Sequence, residues 1–265
     1  MSARSHKVLF PIAISAAAAI GLLKTLLLAY LLEPADFGRY ASFLGIAIVA
    51  TIFISFGRIE RTTKAWPRAW ETGGFAYLRE DYSQAMRVLA RRGLALALAG
   101  VLIAAFAYLA ALIPLPTAYG LVLGSLLILP GAILLLTASG LRAVGSMRKL
   151  LAFTAARSGL ALLIAAPLAA LAGWEWALAG ELIAQSLVAM WSWLAVRGEI
   201  AARENSFDFA ESATAVSEGR TLYASNLVGS LVPFGGRGFI ALIADAAMAG
   251  AYAVAMVFVQ VAQMF

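Results

Sequence analysis

The sequence predicts an all-α fold: a polytopic bundle of about eight membrane-crossing helices. Three observations predict it. Hydrophobic residues make up 63% of the 265 positions and charged residues only 13%, about half the charged share of a soluble domain. The charges gather in a few clusters, separated by apolar runs of about 20 residues, the length that crosses roughly 30 Å of hydrocarbon at 1.5 Å per residue. Lipid offers backbone amides no partner, so runs of that length must satisfy their hydrogen bonds internally, as helices.

The elements follow in order. The first span, 8–32, comes after Arg4 and Lys7 and is too long for the apolar core of a signal peptide. The second, 37–57, follows a turn at Glu33–Asp36. The third, 93–113, starts behind Arg91 and Arg92 and stops at Pro114. The fourth, 117–138, ends ahead of Arg142. The fifth, 151–172, follows Arg148 and Lys149 and reaches Gly173. The sixth, 175–196, stops at Arg197. The seventh, 221–243, begins after Arg220 and contains Pro233 followed by Phe234-Gly235-Gly236-Arg237-Gly238, a sequence that kinks a helix. Such irregular backbone is tolerated at membrane depth where it borders protein or a wet cavity. The eighth, 247–265, follows the turn at Ala244–Ala246. Glu33, Asp36 and Asp245 read as turn and helix-cap residues.

Sixteen basic residues fall on the side of the N-terminus and the long connections, and one, Arg39, on the side of the short turns. That asymmetry places the N-terminus in the cytoplasm. Within the cytoplasmic loop 57–92, Leu78, Tyr82, Ala85, Met86 and Leu89 recur at helical spacing, so 77–89 reads as a short amphipathic helix lying at the interface.

Several function classes are excluded. With no cysteine and one histidine, His6, the chain builds neither a thiolate metal site nor a His-based catalytic centre. No phosphate-binding glycine loop occurs, so nothing points to an enzyme, a cofactor or a resident metal. The basic residues flank spans, where anionic lipid rather than nucleic acid is their partner.

The chain also matches itself. Residues Leu31 to Ala41 (LLEPADFGRYA) resemble Ile243 to Ala253 (IADAAMAGAYA) at an offset of 212 residues, and the same offset carries Lys24 to within one position of Arg237. Six spans separate the two copies, so both face the same way, as in parallel repeats related by an axis along the membrane normal. The expected organisation is a six-helix lobe over 1–200, a cytoplasmic linker over 201–220, and the first two helices of a second, incomplete lobe over 221–265. The apolar end of the sequence adds the expectation that the chain is truncated.

The stretch from Lys24 to Ala41, the segment GLRAVGSMRK from Gly140 to Lys149, and Arg237 to Ala253 resemble bacterial polysaccharide flippases of the O-antigen type, in the multidrug/oligosaccharidyl-lipid/polysaccharide exporter superfamily. The resemblance covers essentially the whole chain through short, degenerate motifs. Members usually have twelve to fourteen helices in two lobes. It implies a bacterial inner-membrane protein that moves undecaprenyl-pyrophosphate-linked oligosaccharide to the outer leaflet by alternating access, beside other polysaccharide-assembly proteins. The cluster Arg58-Ile59-Glu60-Arg61 is denser in charge than that family's pattern. The alternatives are a cation-coupled drug antiporter of the same superfamily and a non-transporting membrane component of polysaccharide assembly. A glycosyltransferase or polymerase is disfavoured by the short outer turns.

A pyrophosphate crossing hydrocarbon needs a wet cavity lined by cations. Lys24, Arg237 and Arg157 stand inside spans, where a charge costs about 2.5–3.5 kcal/mol and faces a cavity or a partner. Each has a plainer reading as a snorkelling chain or one half of an ion pair. Glu181, with Gln185 one turn on, is a candidate for ion coupling or for a structural pair with a base. Arg58, Arg61 and Lys64 stand where they could draw phosphates to the cytoplasmic mouth, although topology and anionic lipid also account for them.

Overall fold

The computed structural model of the chain describes residues 19–204, Phe209 and 213–262. Helix α1 (Ala19–Leu31) stops before Glu33, and Pro34 opens α2 (Pro34–Ser55) in its first turn, where a missing N–H costs nothing. Asp245 accepts the Met248 amide at 2.7 Å and caps the last helix. Glu33 occupies the equivalent position of α2 without a side-chain cap.

At the other end of α2, Phe56 and Gly57 both take left-handed backbone angles (φ 44° and 77°). The reversal leads into α3 (Arg58–Thr72). Phe56 holds that conformation, unusual for a residue with a Cβ, by packing against Phe53 and Tyr223 and under the Arg92 guanidinium at 4.9 Å. Gly73 (φ 82°) ends α3, and α4 (Phe75–Leu109) then runs unbroken for 35 residues, about 50 Å.

This corrects the expectation for 57–92. The segment is two helices, not a loop with a short interfacial helix. The apolar face read at 77–89 exists, but it is the start of α4, and it is covered by protein. Leu78, Tyr82, Ala85 and Leu89 form one core with Ile59, Trp66 and Ala69 of α3 and with Val196 and Ile200 of the helix Trp174–Ala201. The signal for α3 was present: Ile59, Thr62, Trp66 and Ala69 repeat at helical intervals and all are buried.

The remaining elements are α5 (Leu115–Ala143), α6 (Met147–Ala172), α7 (Trp174–Ala201), α8 (Ala213–Ser230), a π-helical turn (Leu231–Gly235), α9 (Gly236–Ile243) and α10 (Ala246–Ala262). Residues 213–220 of the expected linker are therefore helical. The expected kink of the seventh span is the π turn at Pro233. Among the described residues six helices, Pro34–Ser55, Phe75–Leu109, Leu115–Ala143, Arg148–Ala172, Trp174–Ala201 and Glu218–Ile243, are long and apolar enough to cross a membrane, and Ala19–Leu31 and Ala246–Val259 are shorter apolar helices. Residues 8–18 of the expected first span, 263–265 of the eighth, and most of 205–212 lie outside the described residues.

Helix α2 packs against α5, α7, α9, α10 and the π turn. Its contact with α10 is reciprocal. A Cβ on Gly38 would fall 1.5 Å from the carbonyl oxygen of Ala246, and one on Gly250 would fall 2.9 Å from that of Pro34. The two relations exchange under the 212-residue offset, which carries Gly38 to Gly250 and Pro34 to Ala246. Glycine is what lets the two backbones approach so closely.

Candidate functional site

Two polar regions interrupt the apolar interior. The first lies where α1, α2, α6 and α7 meet. Glu181 on α7 is 2% exposed and forms an ion pair with Lys24 of α1. Tyr40 of α2 donates its hydroxyl to the same carboxylate oxygen at 2.7 Å. Gln185, one turn along α7, donates to the other oxygen at 3.3 Å. The carboxylate thus takes three donors, and the ammonium charge is met by a carboxylate rather than left free. Arg157 of α6 stands within electrostatic reach of Glu181. It borders a small, mostly apolar cavity of about 60 Å³, whose polar groups are Arg157 itself, Thr51 and Gln185. Four of the residues singled out from the sequence, Lys24, Glu181, Gln185 and Arg157, therefore share one neighbourhood.

Arg237, the fifth, lies on the α9 side of α2. It is 93% buried by its 7% exposure, and its guanidinium covers the Phe234 ring at 5.2 Å. Its backbone carbonyl accepts the Ser42 hydroxyl at 3.2 Å, and its Nε is without a hydrogen-bond partner. Among the described residues no carboxylate pairs with it. Tyr252, offset by 212 from Tyr40, donates to the Val232 carbonyl inside the π turn at 2.7 Å. Backbone loosened by the turn is thereby re-satisfied.

The second region is an open cavity of about 830 Å³ at the basic end of the bundle, between α3, α5 and α8 and floored by Pro233 and Phe234 of the π turn. Glu60 is buried in its wall and is held by Asn226 at 3.1 Å and Ser55 at 3.5 Å. Arg142 of α5 lines the cavity with Ser139, and among the described residues no carboxylate pairs with it. Glu60, Asn226 and Arg142 did not stand out in the sequence, because Glu60 and Arg142 are ordinary members of charge clusters and nothing marks Asn226.

The three residues expected at the cytoplasmic mouth are tied into the fold. Arg58 donates to the buried Asp81 carboxylate at 2.6 Å and to Gln84 at 3.2 Å. Arg61 lies 3.9 Å from Asp81, and Lys64 pairs with Glu218 of α8 at 3.5 Å. Asp81 also accepts the Trp66 indole N–H at 2.8 Å, so it joins α3 to α4. Asp81→Asn is expected to destabilise the protein by about 1.5–3 kcal/mol, the worth of hydrogen bonds to a charged group. A thermal melt in detergent checks this, with Glu80→Gln, on the exposed face of the same helix, as a near-neutral control.

These features define a class: a multi-pass membrane protein built of apolar helices around an open polar cavity. In fold it is similar to a solved MOP superfamily transporter from Pyrococcus furiosus Vc1, whose reverse-polarity binding pocket is described as suggesting a different function. The TM-score is 0.58 and the identity 12%, over 94% of this chain and 63% of that one. This chain thus spans 63% of the length of that structure. No protein-family model matches the chain, and no curated protein matches it.

Proposed function

We propose that the chain works as a transporter of lipid-linked oligosaccharide, carrying a pyrophosphate-bearing sugar from the cytoplasmic to the outer leaflet of a bacterial inner membrane. The observation that carries this reading is the open cavity of about 830 Å³, within a fold shared with a MOP superfamily transporter. Its size suits a sugar with its phosphates. Arg142 on its wall and Arg237 behind Phe234 supply the cations for those phosphates. The reciprocal contact of α2 and α10 at Gly38 and Gly250 closes the end of the bundle opposite the cavity, as alternating access requires. Lys24 has a smaller part here than its depth in the membrane suggested, since Glu181 already neutralises it.

The test is export of surface polysaccharide by cells that lack their own flippase and carry the full-length gene. Arg142→Ala and Arg237→Ala, at normal protein levels, should each lower export by about tenfold, the loss of one charge-assisted contact. Unchanged export in both variants removes the reading. The buried carboxylate of Glu181 favours a second reading, cation-coupled drug antiport. That reading gains if the cells instead expel cationic dyes in a manner abolished by Glu181→Gln.

A further inference from the structure

The outer flank of α4 and α7 carries a feature that transport through the central cavity does not use. Near the basic end, Arg79 and Arg87 of α4 and Arg197 of α7 surround a groove of about 490 Å³ whose base is Tyr82, Met86 and Trp193. Arg79 is committed to the C-terminal turn of α7, donating to the carbonyls of Ile200 and Arg203. Arg87 makes one bond, at 3.4 Å, to the Ser83 carbonyl of its own helix. The Arg197 guanidinium lies over the Trp193 ring at 5.8 Å. Among the described residues neither Arg87 nor Arg197 has a carboxylate partner, and both are exposed. The nearby Glu199 is taken by Lys149 at 2.6 Å.

A second depression, of about 280 Å³ and almost wholly apolar, continues toward the membrane interior between α5 and α7. Leu129, Pro130, Ile133 and Met190 line it, and so does Trp193. The indole is thus shared by a cationic groove on one side and an apolar one on the other. From Ser186 to Ala201 this track follows α7 for 16 residues, about 22 Å from first to last, comparable with one leaflet and its headgroups. Cations at the headgroup level, a tryptophan at the boundary and an apolar slot below match a phospholipid in order and in depth.

We propose that this track is a binding site for one anionic phospholipid of the bilayer. Its phosphodiester sits between Arg87 and Arg197, and an acyl chain passes Trp193 into the slot beside Pro130 and Met190. The lipid bridges α4 and α7 across a groove where protein alone leaves two guanidinium groups unneutralised.

The experiment uses the full chain in nanodiscs, read by native mass spectrometry and thermal melting. Discs of phosphatidylcholine alone are compared with discs containing phosphatidylglycerol. The wild type should retain one phosphatidylglycerol and melt at higher temperature in its presence, because a ligand that binds only the folded state stabilises it. Arg87→Ala/Arg197→Ala should weaken retention about thirty-fold, given about 1 kcal/mol per basic residue at a membrane surface. Met190→Trp, which fills the slot, should also weaken it. Arg87→Lys/Arg197→Lys should retain most of it, and Arg91→Ala, which removes a charge from α4 outside the groove, should change nothing. Equal stabilisation by phosphatidylcholine would overturn the proposal. So would undiminished retention in the double alanine variant, equal loss in Arg91→Ala, the same stabilisation by glycerol phosphate without acyl chains, or retention of a polyprenyl phosphate in preference to phosphatidylglycerol. None of these outcomes depends on what the central cavity carries.

Discussion

Lys24→Met is expected to destabilise the protein by about 3–5 kcal/mol, because it strands the Glu181 carboxylate in the interior without its counter-charge. Glu181 is 2% exposed, and the groups left to it, Tyr40 and Gln185, are neutral donors. Removing both charges is a different matter. Lys24→Met/Glu181→Gln leaves two groups of similar shape and no buried ion, so most of the lost stability should return. Tyr40→Phe takes away one hydrogen bond to a charged group and should cost about 1.5–3 kcal/mol. Thermal unfolding of the parent, Lys24→Met, Glu181→Gln and the double variant in one detergent makes a double-mutant cycle, and the single lysine variant should melt on the order of 10 °C lower. A double variant no more stable than Lys24→Met would show that the ammonium does not act through Glu181. Recovery in the double variant would bear on function, since a pair that holds α1 to α7 would leave ion coupling to other groups.

Gly38→Leu is the second large effect. A Cβ at this position meets the Ala246 carbonyl oxygen at 1.5 Å, a backbone atom that no rotamer change can move aside. Helices α2 and α10 must separate, at a cost of about 3 kcal/mol or more, the upper range for overfilled contacts. The reciprocal geometry predicts a comparable, smaller effect for Gly250→Leu, whose Cβ has 2.9 Å to the Pro34 oxygen. Gly159→Leu, with nothing within 4 Å of its Cβ, should be nearly silent. Because the chain has no cysteine, spin labels on cysteines placed at Ala35 and Ala247 can report the spacing of the two helices. They should show a longer distance in Gly38→Leu than in the parent. An unchanged distance would mean that the contact does not hold this end of the bundle together.

Much of the cluster around Glu181 was legible as a set of unusual positions and not as an arrangement. Charges inside apolar runs are conspicuous because hydrocarbon penalises them, so Lys24, Arg157, Glu181 and Arg237 all stood out. Which of them meet is another matter. Lys24 and Glu181 are 157 positions apart, and no local periodicity encodes such a pairing. The mouth residues show the converse. Arg58 and Arg61 looked available because Asp81, which they approach, read as the polar side of an amphipathic helix, and Lys64 because its partner Glu218 lies far along the chain. In the folded chain Asp81 is buried, and two arginines and an indole converge on it. Helix α3 was not expected although its apolar positions repeat correctly, since its density of basic residues marked it as a cytoplasmic connection between spans.

By itself the sequence determined the all-helical architecture and most of the long apolar helices. Those follow from apolar run length and charge placement, which are properties of single segments in a solvent that forbids unsatisfied backbone. The 212-residue match was equally a matter of sequence. Only the tertiary structure decided that the matched glycines touch one another, that Lys24 is neutralised, and that a cavity lined by Arg142 opens at the basic end. The physical reason is common to all three. Contact between helices is set by close approach and by charge pairing across the bundle, and both depend on how the helices cross, which no single helix specifies.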